Sequence, residues 1–388
     1  MIRTACLAWL LAAAPAWAQV AVDVTYLRQE VEVPPTLSNL DPIPEDLGLA
    51  GAALGTADNA TTGRFLGQEH ALHVTSVPPG GGLLAAAREA LAATPLLVLD
   101  APADDLLAVA DLPEAEGALI LNAAAEEPRL RGADCRANVL HAVPSLAMRT
   151  DALAQVLQAK RWNDLVLVAG TRPADIAYAD ALRASLEKFG LGLRGEKEWA
   201  FDADMRRNAA AEVPVFTQDL PSHDVLLVAD EAQDFGRYVL YNGWEPRPVA
   251  GSEGLTAVAW SPVVEQWGAA QLQSRFEEAA GRPMAPRDYA AWAAMRAVGE
   301  AVTRTGTAGP AELRAFLLSD EFELAGFKGR PLSFRPWNGQ LRQPIPVVHP
   351  RALVASAPLE GFLHERTELD TLGLDAPESA CTAFEAAP

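Results

Sequence analysis

The chain has 388 residues, half of them hydrophobic, and its 31 Lys and Arg residues stand against 51 Asp and Glu residues, which gives a formal net charge of −20. Because a single core rarely grows beyond about 250–300 residues, this length predicts two domains. The acidic balance argues against a nucleic-acid partner, since phosphate contacts require clustered Lys and Arg.

The first 18 residues have the pattern of a secretory signal peptide. Arg3 gives a positive start, residues 6–14 are apolar, and Ala16-Trp17-Ala18 is a small-x-small cleavage signal. The apolar run is too short to span a bilayer, and no later window reaches about 18 uninterrupted apolar residues. We therefore predict an exported protein that is not embedded in a membrane.

The first third of the chain alternates strand-length apolar runs with helical patterns. Strands are predicted at 20–27, 71–77, 96–99 and 118–121, and helices at 45–66, 83–93 and 104–110. A Pro-rich link at 34–44 separates the first strand from the first helix. This βαβαβαβ order predicts a parallel sheet with helices on both faces.

A second alternating series starts with a strand at 138–143, after which Pro144 breaks the chain and Ser145 caps a helix that runs to about residue 160. Further strands are predicted at 165–169, 197–201 and 225–229, and helices at 173–189, 206–211, 265–280 and 287–304. We therefore predict an α/β fold of two doubly wound lobes. Ligands bind at the carboxyl ends of the strands in such sheets, which places the site in the cleft between the lobes.

Two cysteines, Cys135 and Cys381, remain after removal of the signal peptide. In an exported protein a single pair is most simply one disulfide, which would tie the C-terminal tail to the body of the protein. Two free thiols are the alternative. No histidine stands at ligand spacing to either cysteine, so the pair does not indicate a metal site.

Local sequence motifs for catalysis and for phosphate, metal or nucleotide binding are weak. Gly80-Gly81-Gly82 precedes a helix but lacks the spacing and the Lys of a phosphate loop, so we interpret it as a turn. His70 and His73 point to opposite faces of one strand, and Asp202 and Asp204 lack the Gly and Glu that complete a calcium loop. Neither a nucleophile elbow nor a nucleotide fingerprint is present. We predict a protein that is not an enzyme and carries no cofactor or metal.

The order of these elements resembles the type I periplasmic binding proteins of ABC transporters, with the branched-chain amino-acid receptors nearest in length. Several segments resemble, more narrowly, a branch associated with PQQ-dependent alcohol dehydrogenase systems. These segments are "NVLHAVPSLAMRTDALAQVLQAKRW", "VLLVADEAQDFGRYVLYNGWEPRPVAGSEGL", "EQWGAAQLQSRFEEAAGRPMAPRDYAAWAAMRAVGEA", "FKGRPLSFRPWNGQLRQPI" and "LDTLGLDAPESAC".

The resemblance implies two lobes that are joined by a three-strand hinge and close around a ligand. The N-terminal lobe would comprise residues 19–142 and about 257–326, and the C-terminal lobe 143–256 and about 327–366, followed by a tail at 367–388. The hinge strands would cross near 140–143, 254–260 and 327–334.

The resemblance also implies which residues meet the ligand. The "AGSEGL" turn is similar to one in which a Glu of the second lobe meets the ligand's ammonium group, so Glu253 is the first candidate, and a surface turn residue is the alternative. Tyr178 in "DIAYADA" resembles the family's ligand-stacking Tyr. The remaining candidates line the cleft loops or follow the linking strand, and they are Asp230, Glu231, Asp100, Ala101, Ala123, Ala124, His141 and Ser145.

The first-lobe loops differ from those of the amino-acid receptors, which hold the ligand's carboxylate with Ser and Thr hydroxyls and backbone amides. Here the loops have Asp100-Ala101-Pro102 and Asn122-Ala123-Ala124-Ala125, so a carboxylate would meet repulsion at Asp100. The ligand stays open between an alcohol-derived or aromatic molecule, the quinone PQQ, a hard metal ion and, less favoured, an amino acid. PQQ carries three carboxylates and would need positive charge from Arg129 and Arg131.

Two functions agree with these patterns. The first is a monomeric periplasmic subunit that passes a small ligand to an ABC transporter permease. The second is a periplasmic accessory or sensor protein whose partner is the dehydrogenase itself, which exposed aromatic residues such as Trp199 and Trp337 would favour. Burial of these two residues in the core is the alternative.

Overall fold

The computed structural model describes residues 20–32, 43–199 and 205–384. The predicted signal peptide, most of the Pro-rich link, and the residues Asp202 and Asp204 lie outside this part of the chain. No helix within it is long and apolar enough to cross a membrane.

Five parallel strands form the first sheet. They are β1 (Val20–Gln29), β2 (Gln68–Val77), β3 (Leu96–Asp100), β4 (Leu119–Asn122) and β5 (Val139–His141), in the spatial order β2-β1-β3-β4-β5. Successive side chains of a strand point to opposite faces. In β3, Leu96 and Val98 pack into one core and Leu97 and Leu99 into another. The sheet is therefore buried on both faces, which explains its continuous apolar runs.

Four parallel strands form the second sheet. They are β6 (Asp164–Ala169), β7 (Gly192–Glu198), β8 (Val225–Ala229) and β9 (Val249–Gly251), in the order β7-β6-β8-β9. In β6, Leu165 and Leu167 face one core while Val166 and Val168 face the other. This sheet is also buried on both faces.

Helices cover both faces of each sheet. The first sheet packs against α1, α8, α9 and α10 on one face and against α2 and α3 on the other, while the second packs against α4 and α5 and against α6 and α7. The bounds are α1 (Leu49–Leu66), α2 (Leu83–Ala93), α3 (Ala103–Ala110), α4 (Leu146–Lys160), α5 (Pro173–Lys188), α6 (Met205–Thr217), α7 (Gly236–Asn242), α8 (Ala269–Ala280), α9 (Pro286–Thr305) and α10 (Pro310–Leu317). We call each sheet with its helices the N-terminal and the C-terminal lobe.

Short antiparallel strands connect the lobes. They are β10 (Thr256–Ala257), β11 (Ser333–Phe334), β12 (Leu341–Arg342), β13 (Ile345–His349) and β14 (Ala352–Ala357). The described chain passes between the lobe cores at 142–145, at 258 and at 342–344, and within β13 Val347 packs in the C-terminal core while Val348 packs in the N-terminal core. The third passage was predicted at 327–334, but Phe334 packs against Phe322 in the N-terminal core, with ring centroids 5.6 Å apart.

The C-terminal tail lies against both lobes. Cys381 forms a disulfide with Cys135 of the N-terminal lobe. Earlier in the tail, Leu372 packs in the C-terminal core, and Glu378 forms an ion pair with Lys188 of α5 at 3.0 Å. The first part of the tail is thus fixed to the C-terminal lobe, and Cys381 fixes the later part to the N-terminal lobe.

The predicted fold class, an α/β fold with two doubly wound lobes, is confirmed, and the differences are local. Helix α1 begins at Leu49 rather than at residue 45, because residues 45–48 form a turn. Strand β7 spans residues 192–198 rather than 197–201. It is an edge strand whose exposed and half-exposed residues alternate, so it lacks the apolar run that marks the central strands.

Helices α1 and α9 approach closely where α1 carries glycines. A Cβ atom added at Gly51 would overlap the carbonyl oxygen of Asp288, and one added at Gly55 would lie 2.8 Å from the Cβ of Met295. The Asn59 side-chain amide donates to the carbonyl oxygen of Met295 at 2.7 Å. The two helices therefore depend on small residues at this crossing.

We expect Gly51→Ala to lower the free energy of unfolding by roughly 1–3 kcal/mol, because α1 must move away from α9. Helix propensity alone would make the Ala variant more stable, by about 1 kcal/mol, so a measured loss of stability must come from the contact with α9. Denaturant unfolding measures the effect. Gly192→Ala is the control, since nothing lies within 4 Å of its added Cβ. Equal stabilities of the two variants would contradict the close crossing.

Candidate functional site

The loops that follow the strands of the two sheets meet between the lobes. Ser252, after β9, donates its hydroxyl to Glu231, after β8, at 3.1 Å. Ser252 also accepts a hydrogen bond from the backbone N–H of Asp230 at 3.0 Å. On the opposite side, Glu126 belongs to the loop after β4. These loops form the walls of a cleft at the carboxyl ends of the strands, as is usual for α/β sheets.

Arg149, in the first turns of α4, joins the two walls. Its Nη1 donates to Glu126 Oε2 at 2.6 Å and to Glu231 Oε2 at 3.0 Å, and its Nη2 donates to Glu231 Oε1 at 3.0 Å. Its Nε donates to the carbonyl oxygen of Ala257 at 3.0 Å. These bonds use four of the five N–H donors of a guanidinium. Because Glu126 belongs to the N-terminal lobe and Glu231 to the C-terminal lobe, Arg149 bridges them.

The bridge is mostly shielded from water, since the Arg149 side chain is only 12% exposed. Burial alone would lower the pKa of Arg149, but Glu126 and Glu231 outweigh it and hold this pKa well above its usual range. Burial likewise raises the pKa of Glu231, yet Arg149 outweighs that effect and the net pKa is lowered. Both groups are therefore charged at neutral pH.

Tyr178 lies beneath this bridge. The Arg149 guanidinium carbon is 5.2 Å from the centre of its ring, and the Tyr178 side chain is fully buried. Burial raises the pKa of its hydroxyl, which stays neutral. The face that the sequence assigned to ligand stacking is thus in contact with a cation of the chain itself. A role of Tyr178 toward a ligand stays a prediction.

The first-lobe candidates are held by internal contacts. Asp100 is 2% exposed and accepts a hydrogen bond from the Tyr26 hydroxyl at 2.7 Å and another from Arg287 at 3.3 Å. Ala101 and Ala123 are buried, whereas Ala124 is partly exposed. Asp100 therefore packs inside the lobe. Its carboxylate is not exposed, so the sequence-based prediction that it repels a ligand carboxylate is not supported.

Two further candidates organise helix starts. Asp230 is buried and accepts hydrogen bonds from the backbone N–H groups of Asp234, Phe235 and Gly236 at 2.8, 2.8 and 2.6 Å, which fixes the turn that begins α7. Ser145 accepts from the backbone N–H of Met148, so it caps α4 as the sequence predicted. These contacts account for both residues without a ligand.

The three remaining candidates, His141, Arg129 and Arg131, already have partners within the protein. His141 is 1% exposed, and its Nδ1 lies 3.0 Å from the Asn122 amide. Arg131 is equally buried and donates to backbone carbonyls and to Gln340, while Arg129 pairs with Asp104 and Asp134 at the surface. A pairing of Arg129 and Arg131 with the carboxylates of PQQ is therefore not supported. No group of three or more His, Cys, Asp or Glu side chains is placed to hold a metal ion within 20–32, 43–199 and 205–384.

A cavity of about 880 Å³ lies beside the second passage between the lobes. Glu253 and Gly254 of the C-terminal side form one part of its wall, and the passage itself contributes Thr256, Val258 and Trp260. The other parts come from Pro44, Ser261 and Pro262, from the loop 282–286 before α9, and from Val348 and Pro350. Of the sequence-predicted site residues, the cavity contains Glu253.

Sequence reasoning did not identify Arg149, Arg282 and the loop 282–286. Arg149 stands alone as a basic residue in the first two turns of a helix that is otherwise buried, and this pattern is a usable signal for an internal ion pair. The loop 282–286 has two prolines directly before a long helix, which indicates a rigid connection but gives no hint of which surface it faces.

The chain belongs to the periplasmic binding protein family, because a sequence model of that family matches residues 80–352. No curated protein sequence matches significantly. Solved structures of similar fold include a branched-chain amino-acid ABC transporter periplasmic ligand-binding protein from Burkholderia xenovorans LB400, with 15% identity, a TM-score of 0.71, and coverage of 94% of this chain and 100% of that chain.

Two further similar structures carry different ligand classes in their names. One is a leucine-, isoleucine-, valine-, threonine- and alanine-binding protein from Brucella ovis in a closed conformation, with 14% identity, a TM-score of 0.64, and coverage of 89% and 92% of the two chains. The other is a solute-binding protein from Rhodopseudomonas palustris BisB5 in complex with 3,4-dihydroxybenzoic acid, with 13% identity, a TM-score of 0.58, and coverage of 85% and 93%. At these low sequence identities, the similarity shows a shared fold and nothing about the ligand.

We expect Arg149→Met to lower the free energy of unfolding by about 3–5 kcal/mol, because it leaves Glu126 and Glu231 together without their shared cation. Arg183→Met is the matched control. Arg183 also pairs with two carboxylates, of Asp180 and Glu196, but its side chain is 40% exposed, so its loss should cost less than about 1 kcal/mol. Chemical denaturation compares them, and equal losses would contradict a shielded bridge at Arg149.

Proposed function

We propose that this chain is the periplasmic solute-binding subunit of an ABC transporter, and that it holds a small ligand between its lobes without catalysing a reaction. The observation that carries this proposal is the cavity of about 880 Å³ between two lobes of the periplasmic binding protein fold. Small-molecule sites in proteins typically have about 300–1,000 Å³, and few polar groups orient the ligand in them. Glu253 is such a group.

The proposal includes a cellular location, the periplasm, and a protein partner, the transporter permease. The signal-peptide pattern of the first 18 residues and the family both favour the periplasm. A solute receptor of this kind would act as a monomer and deliver its ligand to the permease. The five quoted segments support a further link to PQQ-dependent alcohol oxidation, which makes alcohols, aldehydes, PQQ and metal ions the first ligands to test.

Glu253→Ala should abolish ligand-induced stabilisation. The mature protein, refolded to remove any bound ligand, is melted with amino acids, alcohols, aldehydes, PQQ, calcium and lanthanide ions. A ligand at about one hundred times its Kd adds roughly 2.7 kcal/mol, which raises Tm by a degree or more. Glu187→Ala, an exposed change on α5, is the control and should keep the shift. Absence of any shift in the wild-type protein would contradict a solute receptor.

A second candidate function is the accessory or sensor role, with a protein partner instead of a transported solute. Trp199 is buried, stacked on Phe235 at 4.7 Å, and Trp337 is partly buried against Arg335 and Arg342, so neither offers an exposed face of the kind predicted. Tyr241 and Trp244, however, are 82% and 60% exposed at the end of α7. Exposed aromatic side chains of this size are typical of contact sites for other proteins.

If the accessory role holds, the double change Tyr241→Ser and Trp244→Ser should weaken binding to the purified dehydrogenase by at least about tenfold, since Trp and Tyr dominate binding energies at interfaces. Surface-immobilised protein and interferometry give the dissociation constant. Phe65→Ser on α1, where Phe65 is 87% exposed, is the control for loss of an unrelated aromatic residue. Failure of the wild-type protein to bind would rule out this second function.

A further inference from the structure

We propose that the C-terminal tail contains a strap that limits how far the two lobes can separate. The strap is the segment of residues 369–381, which is docked on the C-terminal lobe at its start and joined to the N-terminal lobe at its end. This inference goes beyond the proposed function, because it concerns the motion of the lobes and its test uses no ligand.

The start of the strap is embedded in the C-terminal lobe. Leu372 is fully buried in the core of that lobe. The backbone N–H of Gly373 donates to Asp151 Oδ2 of α4 at 2.7 Å, and Lys188 Nζ of α5 donates to the carbonyl oxygen of Gly373 at 2.9 Å. Asp151 is itself buried, so breaking its hydrogen bond would leave a polar group away from water without a partner. The start of the strap therefore moves with α4 and α5.

Two arginines beside the hinge hold the same part of the strap. Asp370 is buried, and its Oδ1 accepts hydrogen bonds from Nε of Arg335 at 2.8 Å and from Nε of Arg342 at 2.7 Å. Arg335 also donates to the carbonyl oxygen of Leu372 at 2.6 Å. Arg342 stands at the third passage between the lobes. These contacts therefore fix the strap beside the hinge, where a rotation of the lobes displaces atoms least.

The end of the strap belongs to the N-terminal lobe. Cys381 is bonded to Cys135, in the loop between β4 and β5. Ser379 Oγ donates to the carbonyl oxygen of Arg131 at 2.8 Å, and Phe384, just beyond the strap, packs against the N-terminal core. A covalent bond does not dissociate when the lobes move, so the end of the strap follows the N-terminal lobe in every position.

A turn shortens the strap between these two attachments. The backbone N–H of Glu378 donates to the carbonyl oxygen of Asp375 at 3.0 Å, and the Glu378 carboxylate pairs with Lys188 at 3.0 Å. Cys381 follows Glu378 by three positions, so the chain between them reaches at most about 11 Å. Without the ion pair, the reach from Gly373 to Cys381 is at most about 28 Å. Wider separation of the two attachments requires a longer strap or a broken disulfide.

An insertion tests the strap without removing its attachments. Six Gly and Ser residues placed between Glu378 and Ser379 add roughly 20 Å of reach, while the disulfide and the contacts of residues 369–374 remain. Small-angle X-ray scattering of the ligand-free mature protein measures the radius of gyration. We expect the insertion to raise it by about 1 Å from the roughly 21 Å that is typical of this chain length, because the lobes can then open further.

The matched control carries the same six residues between Glu360 and Gly361. Leu359, before this point, packs against the C-terminal core, and Phe362, after it, contacts the ring of Phe189 in the same lobe, with centroids 5.8 Å apart. Because both flanks belong to the C-terminal lobe, this insertion does not lengthen the strap. The radius of gyration of the control should show only the small contribution of the added residues.

The double variant Cys135→Ser and Cys381→Ser releases the end of the strap and should give a rise of similar size. Loss of a disulfide also lowers stability, so its circular dichroism spectrum is first compared with that of the wild-type protein. If this variant does not fold, the insertion variant, with its disulfide verified by mass spectrometry, decides alone.

Equal radii of gyration for the strap insertion and its control would overturn the strap, as would a folded double variant with the wild-type radius. Because no ligand is present in these measurements, that result would leave the proposed solute-binding function standing. Failure of the protein to bind any solute would in turn leave the scattering result, and the strap, unaffected.

Discussion

The buried guanidinium of Arg149 joins loops from the two halves of this molecule. Its two carboxylate partners, Glu126 and Glu231, lie in loops that follow strands of different parallel sheets. Its backbone partner, Ala257, lies in β10, where the chain passes between the lobes. Charges removed from water are tolerated only when they are paired and hydrogen-bonded, so the loops after β4 and β8 must lie where Arg149 can reach both. This requirement is one constraint on the relative placement of the two sheets, beside the chain passages and the tail.

Two chemically different regions lie between the lobes. One region is polar and internally neutralised, with the guanidinium between Glu126 and Glu231 and the ring of Tyr178 beneath it. The other is the apolar cavity beside Trp260, where Arg282 is neutralised by its own carboxylates. Structures of similar fold include a protein named for binding aliphatic amino acids and threonine and a protein in complex with 3,4-dihydroxybenzoic acid, so the fold by itself does not determine the ligand.

The sheets could be predicted from sequence because strands buried on both faces appear as continuous apolar runs, such as residues 96–99 and 165–168. The edge strand β7 lacked that signal, and the position of the third passage depended on the contact of Phe334 with Phe322, which no local pattern encodes. The site was harder still. Glu253 was proposed from the resemblance of its turn to one in the family, and it lines the cavity, but its role toward a ligand stays a prediction. Asp100 and Asp230 carry the same carboxylate but face inward, toward Tyr26 and toward the start of α7.

The bond between Cys135 and Cys381 also fixes an order of events during biosynthesis. The two cysteines are 246 positions apart in the sequence. At a synthesis rate of roughly 5–20 residues per second, Cys135 waits on the order of 10–50 s before its partner exists. Any chain that stops before residue 381 retains an unbonded thiol in its N-terminal lobe. The closed covalent ring therefore forms only in a chain that has been made at least as far as Cys381.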